Sequence, residues 1–232
     1  MFFHRITLYI LCLLIGGEIA MAQDTTKQTK TLGLCLSGGG ALGYAHIGAL
    51  QALEEAGIKP THIAANSMGS IVGVLYASGL TPKQMLEMIE NEKGYRVHSL
   101  IDINLRNFNG FMKHDKLRKV LDKYISYNHF DSLKIKFYVC CVDIRKAEVK
   151  IVGQGNYLKD YVIASSSIPL LYDYCVIEGV EYVDGGVKNN FPVEPLIEEK
   201  CDKIIGINLI NFTPADTTIK PEDLLSNLYA VV

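Results

Sequence analysis

The sequence contains no tryptophan, no histidine after His129 and no Cys-x-x-Cys pair. Without such a pair, or any cluster of histidine and cysteine, it predicts no zinc site. Beyond the N-terminal segment, no apolar run approaches the length of about 20 residues that crosses a membrane. The net charge of −2 argues against the concentrated basic surface that nucleic-acid binding requires. What is left is a globular domain whose function must be sought in short motifs.

Residues 1–22 have the pattern of a secretory signal, with an apolar core over 6–16 and a small-x-small cleavage site that ends at Ala22. The apolar core is too short to span a membrane, although an uncleaved anchor is the alternative. We therefore expect export, to the periplasm, the outer membrane or the medium. The polar residues 23–30 predict a short tether, and 31–232 predict one domain.

The cysteines that remain after removal of the signal are odd in number. Cys35, Cys140 and Cys141 lie in apolar, strand-like runs, where cysteine commonly behaves as a small buried hydrophobe. A disulfide between Cys175 and Cys201 is compatible with an oxidising compartment, but their spacing does not support it.

The chain opens on a strand–helix–strand–helix pattern. Apolar runs at 31–36 and 58–65 are each followed by apolar residues at helical spacing, over 41–56 and 68–78. This alternation predicts a parallel sheet with right-handed crossovers. Further along, we expect helices at 82–91, 114–125, 158–165 and 193–200. We expect strands at 137–142, 148–152, 175–177, 181–183 and 203–209, the last of them buried.

Two segments have compositions that suit contact with lipid. The irregular stretch 94–112 is rich in large apolar residues, so it is either a lipid-contacting flap or ordinary packing onto the core. The helix at 114–125 carries several lysines and Arg118, but it also carries Asp115 and Asp122. That mixture favours a solvated helix face over a patch that binds anionic membranes.

Three short segments carry the chemistry: GGGALG at 38–43, NSMG at 66–69 and DGG at 184–186. Each follows a predicted strand, where open α/β sheets place their sites. The first matches the dinucleotide fingerprint G-x-G-x-x-G, but the acidic residue expected about 20 positions later is missing from 58–66. The glycines therefore predict backbone amides of Gly38, Gly39 and Gly40 that hold an anionic oxygen, or else a tight turn for packing.

Ser67 is the candidate nucleophile. Its segment is close to the nucleophile elbow G-x-S-x-G, in which small residues flank the serine because the turn is sharp. Ala65 replaces the first glycine of that pattern. A helix N-cap is the alternative role for Ser67.

Asp184 is the candidate base. The usual order of serine, acid and histidine fails because no histidine follows Asp184, and His114 or His129 would need an acid such as Asp102 or Asp115. A serine–aspartate dyad is simpler, since glycines open room beside Asp184 and loss of solvent would strengthen it as a base. An ordinary Asx turn is the alternative.

In this order, the three segments resemble the patatin-like phospholipase family, with a glycine-rich oxyanion loop, a G-x-S-x-G elbow and a D-G-[AG] turn. The resemblance covers 31–210 and includes ASSSIP at 164–169 and DGGVKNNFP at 184–192. It implies a three-layer α/β/α fold with a mainly parallel central sheet. It also implies Ser67 as nucleophile, Asp184 as its base and the amides of Gly38, Gly39 and Gly40 as the oxyanion hole. The supporting positions would be Gly43, Met68, Gly69, Gly185 and Gly186.

The reaction implied by the resemblance is hydrolysis of carboxylic esters through an acyl-enzyme, without a metal or cofactor. The substrate would be a phospholipid or another acyl lipid at a membrane surface. Leu42 stands where many relatives carry arginine or lysine, so we expect no cationic contact to lipid phosphate there. A catalytically silent lipid-binding domain, or the passenger domain of a larger outer-membrane protein, is the alternative that Ala65 motivates.

Overall fold

The computed structural model describes residues 30–91 and 113–209. The predicted signal, all but the last residue of the predicted tether, and the apolar stretch 94–112 lie outside these ranges and stay predictions. From Thr31 onward the described residues belong to one compact unit. Within the described ranges, no helix has both the length and the apolar character needed to cross a membrane.

The strands and helices follow the order that the apolar pattern predicts. The strands are β1 (Leu32–Leu36), β2 (His62–Asn66), β3 (Lys136–Asp143), β4 (Glu148–Val152), β5 (Cys175–Ile177), β6 (Val180–Asp184) and β7 (Lys203–Ile207). The α-helices are α1 (Tyr44–Glu55), α2 (Ser67–Ser78), α3 (Pro82–Asn91), α4 (Asp115–Tyr124), α5 (Leu158–Ser165) and α6 (Glu194–Glu198). Short 3₁₀ turns occupy Gly40–Gly43, Phe130–Ser132 and Gly185–Val187.

The strands form one mixed sheet in which hydrogen-bonded neighbours follow the path β5-β6-β3-β2-β1-β7. β2 and β6 pair with successive parts of one edge of β3, and β4 pairs with its other edge. β7, β1, β2 and β3 run parallel, whereas β4 and β6 pair antiparallel with β3, and β5 with β6. The predicted burial of 203–209 is wrong for the described chain. β7 is an edge strand, so several of its residues are exposed despite their apolar sequence.

Alternate residues of the central strands face two helical layers, as the twofold periodicity of strands requires. On one face, Leu34 and Ile63 belong to a large core that helices α1 to α5 cover. On the other face, Cys35 and Ala64 pack with Leu196 of the short helix α6. The result is the predicted three-layer α/β/α arrangement.

Local signals in the sequence determine where α2 and α3 stop and start. α2 ends at Gly79, which adopts a φ of 110°, a left-handed conformation that glycine tolerates without penalty. At the start of α3, the Gln84 amide donates to the Thr81 hydroxyl over 3.2 Å, while the Gln84 side chain accepts from the Thr81 amide over 2.9 Å. This capping box, with Pro82 in the first turn, confirms the predicted helix start.

The predicted basic helix is α4, and part of its charge is paired within the domain. Arg118 hydrogen-bonds to Asp160 of α5, and Lys159 of α5 reaches Asp122 of α4 at 2.6 Å. These pairs tie α4 to α5 and occupy one face of the helix.

The cysteines are free thiols in the described chain. Cys35, Cys140 and Cys141 are buried, as predicted, and burial raises the pKa of the Cys140 thiol to about 12. Cys175 and Cys201 are unpaired, so the structure does not contain the disulfide that an oxidising compartment would permit.

Candidate active site

The strands that carry the candidate nucleophile and base end against each other. β2 pairs with β3 up to Asn66, which lies opposite Cys140. β6 runs the other way and ends with Asp184 opposite Cys141. β4 pairs with one edge of β3 along these residues, so β2 and β6 both pair with the opposite edge. Their carboxyl ends therefore meet there. Ser67 follows at once, so residues distant in sequence converge at one point of the sheet.

Ser67 has the backbone of a nucleophile elbow. It follows β2 directly and is the first residue of α2, with a positive φ of 50° that non-glycine residues rarely adopt. Such strain costs on the order of 1 kcal/mol and concentrates at functional sites. The side chain is almost buried, with 7% of its residue surface exposed, and its amide donates to the Ser165 hydroxyl over 2.9 Å.

Gly69 and Gly43 stand where the elbow and the glycine segment lie too close together to leave room for a side chain. A methyl group at Gly69 would overlap the carbonyl oxygens of Leu36 and Ser37, because the first turn of α2 lies against the end of β1. A methyl group at Gly43 would overlap the side chain of Met68. Glycine at both positions therefore allows the glycine segment and the elbow to pack in direct contact.

Ala65, which replaces the first glycine of the elbow pattern, is fully buried and accommodated by α2. A Cβ atom at Gly73 would lie 3.5 Å from the Ala65 methyl group and 3.0 Å from the Phe137 ring. The residue of α2 that faces Ala65 is thus a glycine, and its closest neighbour is Phe137 rather than Ala65. Ser67 keeps the elbow conformation with alanine in this position.

Asp184 lies in a nearly dry environment, with 5% of its surface exposed. Burial raises the pKa of its carboxyl to about 6, although hydrogen bonds from the Ser67 hydroxyl, the Gly186 amide and Asn66 act in the opposite direction. The Gly186 amide at 2.7 Å and the Asn66 side-chain amide at 3.1 Å both donate to Oδ1. Because both of these donors use Oδ1, the second carboxylate oxygen keeps its capacity to accept a hydrogen bond.

The glycines after Asp184 fit closely against their neighbours. A methyl group at Gly185 would overlap the side-chain oxygen Oδ1 of Asn66 and lie 2.6 Å from the Cys140 sulfur. At Gly186 it would stand 3.0 Å from Asp184 Oδ1. The D-G-G segment thus lets the base lie directly against β2 and β3.

The glycine loop lies over Ser67, but its three amides are not equivalent. A Cβ atom at Gly38 would be 3.0 Å from the Ser67 Cβ atom, so the loop and the serine are in close proximity. The Gly38 amide already donates to the Asn190 carbonyl over 3.2 Å. The amides of Gly39 and Gly40 have no acceptor among the residues described.

Three polar residues of the site have no role in the sequence-based assignment: Asn66, Ser165 and Asn190. Asn66 sits inside the elbow segment, Ser165 inside ASSSIP and Asn190 inside DGGVKNNFP. Their places in these motifs are the signal that could have found them. Asn66 bonds to Asp184, Asn190 and Ser165 at 3.1, 3.1 and 3.3 Å.

Four histidines lie in the described ranges, and none of them hydrogen-bonds to Ser67. Their contacts are elsewhere: His46 with the Ser37 carbonyl, His62 with the Thr61 hydroxyl, His114 with the Asp173 carbonyl and His129 with the Ser132 hydroxyl. In these same ranges, no group of three His, Cys, Asp or Glu side chains is arranged to hold a metal ion.

An apolar cavity of about 40 Å³ adjoins the elbow. It lies among α1, α2, α3 and α4, and Met68, the residue after Ser67, forms part of its wall. Met85 and Met88 line it from α3, while Ile71 and Leu75 continue the wall along α2. Methionine side chains are flexible, so this wall can rearrange around an apolar guest.

Apolar side chains are exposed on the segments that carry the site. Leu42 is 53% exposed and comes two residues after the glycine loop, and Val187 is 56% exposed and comes three after Asp184. Leu170 is 73% exposed and comes three residues after Ser167. The carbonyl of Ser167 accepts the Asp184 amide over 2.9 Å. Apolar side chains therefore stand in solvent on segments next to the site residues in sequence. We call these three residues the apolar rim.

Known proteins share both the sequence pattern and the fold. The model of the patatin-like phospholipase family matches residues 34–197. The chain is 30% identical over 207 residues to lysophospholipase NTE1 of the fungus Coccidioides immitis, and 32% identical over 184 residues to that of Cryptococcus neoformans. These alignments cover 88% and 78% of the chain but only 13% and 11% of the relatives, so the chain spans a small part of their length.

A solved structure agrees with this assignment at the level of the fold. VipD from Legionella pneumophila superimposes with a TM-score of 0.57 at 16% identity, over 76% of this chain and 49% of VipD. The family match covers well over half of the chain and contains the glycine loop, the elbow and the D-G-G segment. The chain belongs to the patatin-like phospholipase family.

Proposed function

We propose that this protein is a lipid acyl hydrolase in which Ser67 is the nucleophile and Asp184 the base. The observation that carries the proposal is the hydrogen bond between the Ser67 hydroxyl and the buried Asp184 carboxylate, whose Oδ1 atom is anchored by Gly186 and Asn66. A serine hydroxyl needs such a partner to become a nucleophile at neutral pH. Family membership adds the class of bond, a lipid ester.

The reaction proceeds in two halves through an acyl-enzyme. The Ser67 oxygen attacks the ester carbonyl carbon as its proton moves to Asp184. The tetrahedral intermediate then collapses, and Asp184 returns the proton to the departing alcohol oxygen. In the second half, water attacks the acyl carbon, its proton passes to Asp184 and then back to Ser67, and the fatty acid leaves.

The pKa of Asp184 suits this exchange. A base works best when its pKa is close to the working pH, since it must be ionised and still accept a proton readily. An ordinary aspartate is too weak a base, whereas burial raises the pKa of Asp184 to about 6. The dry environment, only 5% exposed, thus supplies the basicity that histidine provides in other serine hydrolases.

The glycine loop stabilises the negative oxygen of the tetrahedral intermediate. We assign this task to the amides of Gly39 and Gly40, because the Gly38 amide is already bonded to Asn190. Gly38 instead fixes the loop over Ser67, and the positive end of the α2 dipole lies beside the reacting atoms. Removing one oxyanion donor typically costs about 3 kcal/mol of transition-state stabilisation.

The substrate we propose is a phospholipid or lysophospholipid, the latter in keeping with the name of the fungal relatives, lysophospholipase NTE1. The acyl chain would enter the apolar cavity beside Met68, with movement of the methionine side chains. The apolar rim of Leu42, Leu170 and Val187 would face the hydrocarbon boundary of the membrane, where exposed apolar side chains are favourable. Serine at all three rim positions should weaken binding to phosphatidylcholine vesicles.

The N-terminal pattern over 1–22 supports a separate proposal, that the protein is exported and cleaved after Ala22. N-terminal sequencing of the mature protein should begin at Gln23. A mature protein that retains Met1 would contradict cleavage.

The proposed activity is tested by comparing two serines of the same helix. Ser67→Ala should abolish hydrolysis of lysophosphatidylcholine and of short-chain esters. Ser78→Ala removes a hydroxyl that only bonds to the Leu75 carbonyl at the far end of α2, so it should leave hydrolysis at the wild-type rate. Undiminished hydrolysis by Ser67→Ala would overturn the proposal.

A further inference from the structure

Asn66 occupies the centre of the hydrogen-bond network at the candidate site. Its side chain is fully buried at the end of β2. The Nδ2 atom donates to Asp184 Oδ1 and to Asn190 Oδ1, both at 3.1 Å. The Oδ1 atom accepts from the Ser165 hydroxyl at 3.3 Å. One amide group therefore touches three separate segments of the chain.

The orientation of this amide is determined by its neighbours. The Ser67 amide donates to the Ser165 oxygen over 2.9 Å, which leaves the Ser165 proton to be given to an acceptor. The acceptor is the Asn66 carbonyl oxygen, so the Asn66 nitrogen must point towards Asp184. The nucleophile's own backbone thus sets the direction in which Asn66 donates.

The network continues from Asn66 to the glycine loop. Asn190, which accepts from Asn66, donates through its side chain to the Gly38 carbonyl over 3.4 Å. Its backbone carbonyl accepts the Gly38 amide over 3.2 Å. A methyl group at Gly38 would overlap the Asn190 side chain, so the loop and Asn190 fit only with glycine there.

We propose that Asn66 is a positioning residue, whose amide holds the Asp184 carboxylate and, through Asn190, the glycine loop in register with Ser67. This inference rests on the proposed function of Ser67 and Asp184. The second position of the elbow is here occupied by a side chain that connects nucleophile, base and oxyanion loop.

Hydrogen bonds to an ionised carboxylate favour the ionised form. Removing the Asn66 donor should therefore raise the pKa of Asp184 further. His114 lies one contact away from Asp184, against the Ser167 hydroxyl at 3.1 Å; burial lowers the pKa of this histidine, and it is unchanged in every variant compared. The Cys140 thiol of β3 has its pKa raised by burial, and Ser165, Ser167 and Asn190 carry no charge. A shift in the titration of Asp184 would thus report on Asn66 itself.

The test compares two substitutions of similar shape. Asn66→Leu removes the donor, and Asn66→Asp replaces it with a second carboxyl. The readout is the rate at which a fluorophosphonate labels Ser67 as a function of pH, which needs no lipid substrate. We expect the acidic limb of this profile to move to higher pH by about one pH unit for Asn66→Leu, and further for Asn66→Asp. If Asn66 only fills space, Asn66→Leu should keep the wild-type profile, because leucine has a similar size and lacks only the donor.

Asn128 provides a matched control. Its side-chain amide holds Asp160 at 2.9 Å in the same way, but it contacts neither Ser67 nor Asp184. Asn128→Asp should lower the free energy of unfolding and leave the pH profile of labelling unchanged. If Asn128→Asp moved the acidic limb as far as Asn66→Asp, the effect would be structural and the inference wrong.

A second readout separates this inference from the proposed function. The carboxyl ¹³C resonance of Asp184, identified by its loss in Asp184→Asn, reports the titration directly, whether or not the protein hydrolyses esters. Failure of the wild type to be labelled would contradict the role of Ser67, while the NMR titration would still test Asn66.

Should the Asn66 variants not fold, Ser165→Ala releases the same amide and should move the titration in the same direction by a smaller amount. An unchanged titration in a folded variant would overturn the inference.

Discussion

Gly73 of α2 lies so close to Phe137 of β3 that an added Cβ atom would stand 3.0 Å from the ring, whereas it would stand 3.5 Å from the methyl group of Ala65 on β2, an ordinary contact distance. The elbow pattern places glycine where Ala65 stands, and the residue of α2 that faces Ala65 is itself a glycine. Ser67 stands at the junction of strand and helix with a φ of 50°.

A side chain at Gly73 should therefore destabilise the protein. In Gly73→Val, the added atoms would meet the Phe137 ring and the side chains of Ile63 and Ala65. Overpacking of this kind typically costs about 1–3 kcal/mol. Urea unfolding measures the free energy of unfolding. Gly48→Ala is the matched control, since Gly48 lies on α1 with nothing within 4 Å, and alanine there should be neutral or stabilising by about 0.5–1 kcal/mol.

The activity should depend on the ionisation of Asp184. Because Asp184 must be deprotonated to accept the Ser67 proton, kcat/KM should rise with pH and reach half of its plateau near pH 6. Short-chain ester hydrolysis measured at constant ionic strength gives this profile. A half-maximum near pH 4, the value of an ordinary aspartate, would show that burial does not tune the base.

Asp184 should also lower the stability of the protein at neutral pH. The folded-state pKa of about 6 lies above the ordinary aspartate value of 3.8, so between these pH values the folded state keeps a proton that the unfolded state has lost. Stability contributed by this group is therefore lost as the pH rises through that window. Asp184→Asn, which resembles the neutral form, should be more stable than the wild type by up to about 3 kcal/mol at pH 7.

This difference between Asp184→Asn and the wild type should shrink to almost nothing at about pH 3, where the wild-type carboxyl is protonated in both the folded and the unfolded state. Urea unfolding at the two pH values provides the measurement. Asp131→Asn, at an exposed site, serves as the control and should show the same small difference at both. A stability gain that did not depend on pH would contradict the linkage.

Narrowing the apolar cavity should change the preference for acyl chain length. Leu75 lines the cavity two turns of α2 beyond Ser67, or roughly 12 Å along the helix. Leu75→Phe should lower kcat/KM for long-chain esters by about tenfold and leave short-chain esters little affected, because each excluded methylene forfeits about 0.8 kcal/mol of burial. A series of p-nitrophenyl esters gives the comparison. Leu86→Phe, on the outer face of α3, should alter neither class.

Much of the fold could be predicted because its signals are local. The Thr81 capping box, the bounds of α5 and the hairpin between β5 and β6 all follow from residues close together in sequence. The burial of β7 was mispredicted for the opposite reason. An apolar run reads the same at the centre and at the edge of a sheet, and only the pairing of strands distinguishes them.

The candidate site shows the same difference between residues with local signals and residues defined by distant contacts. Ser67 and Asp184 could be identified as candidates from their turns, and the structure brings them together. Asn66, Ser165 and Asn190 could not be given roles, since their partners lie about a hundred residues away in sequence. The use of the Gly38 amide by Asn190 likewise depends on a contact between opposite ends of the domain.

The most direct test of the account is covalent labelling with a fluorophosphonate, followed by mass spectrometry of the modified peptide. The dyad predicts one adduct, on Ser67, formed quickly by the wild type and at least a hundredfold more slowly by Asp184→Asn at pH 7. Ser78→Ala should label like the wild type. An adduct on another residue, or labelling of Ser67 that proceeds equally fast without the Asp184 carboxylate, would contradict the serine–aspartate dyad.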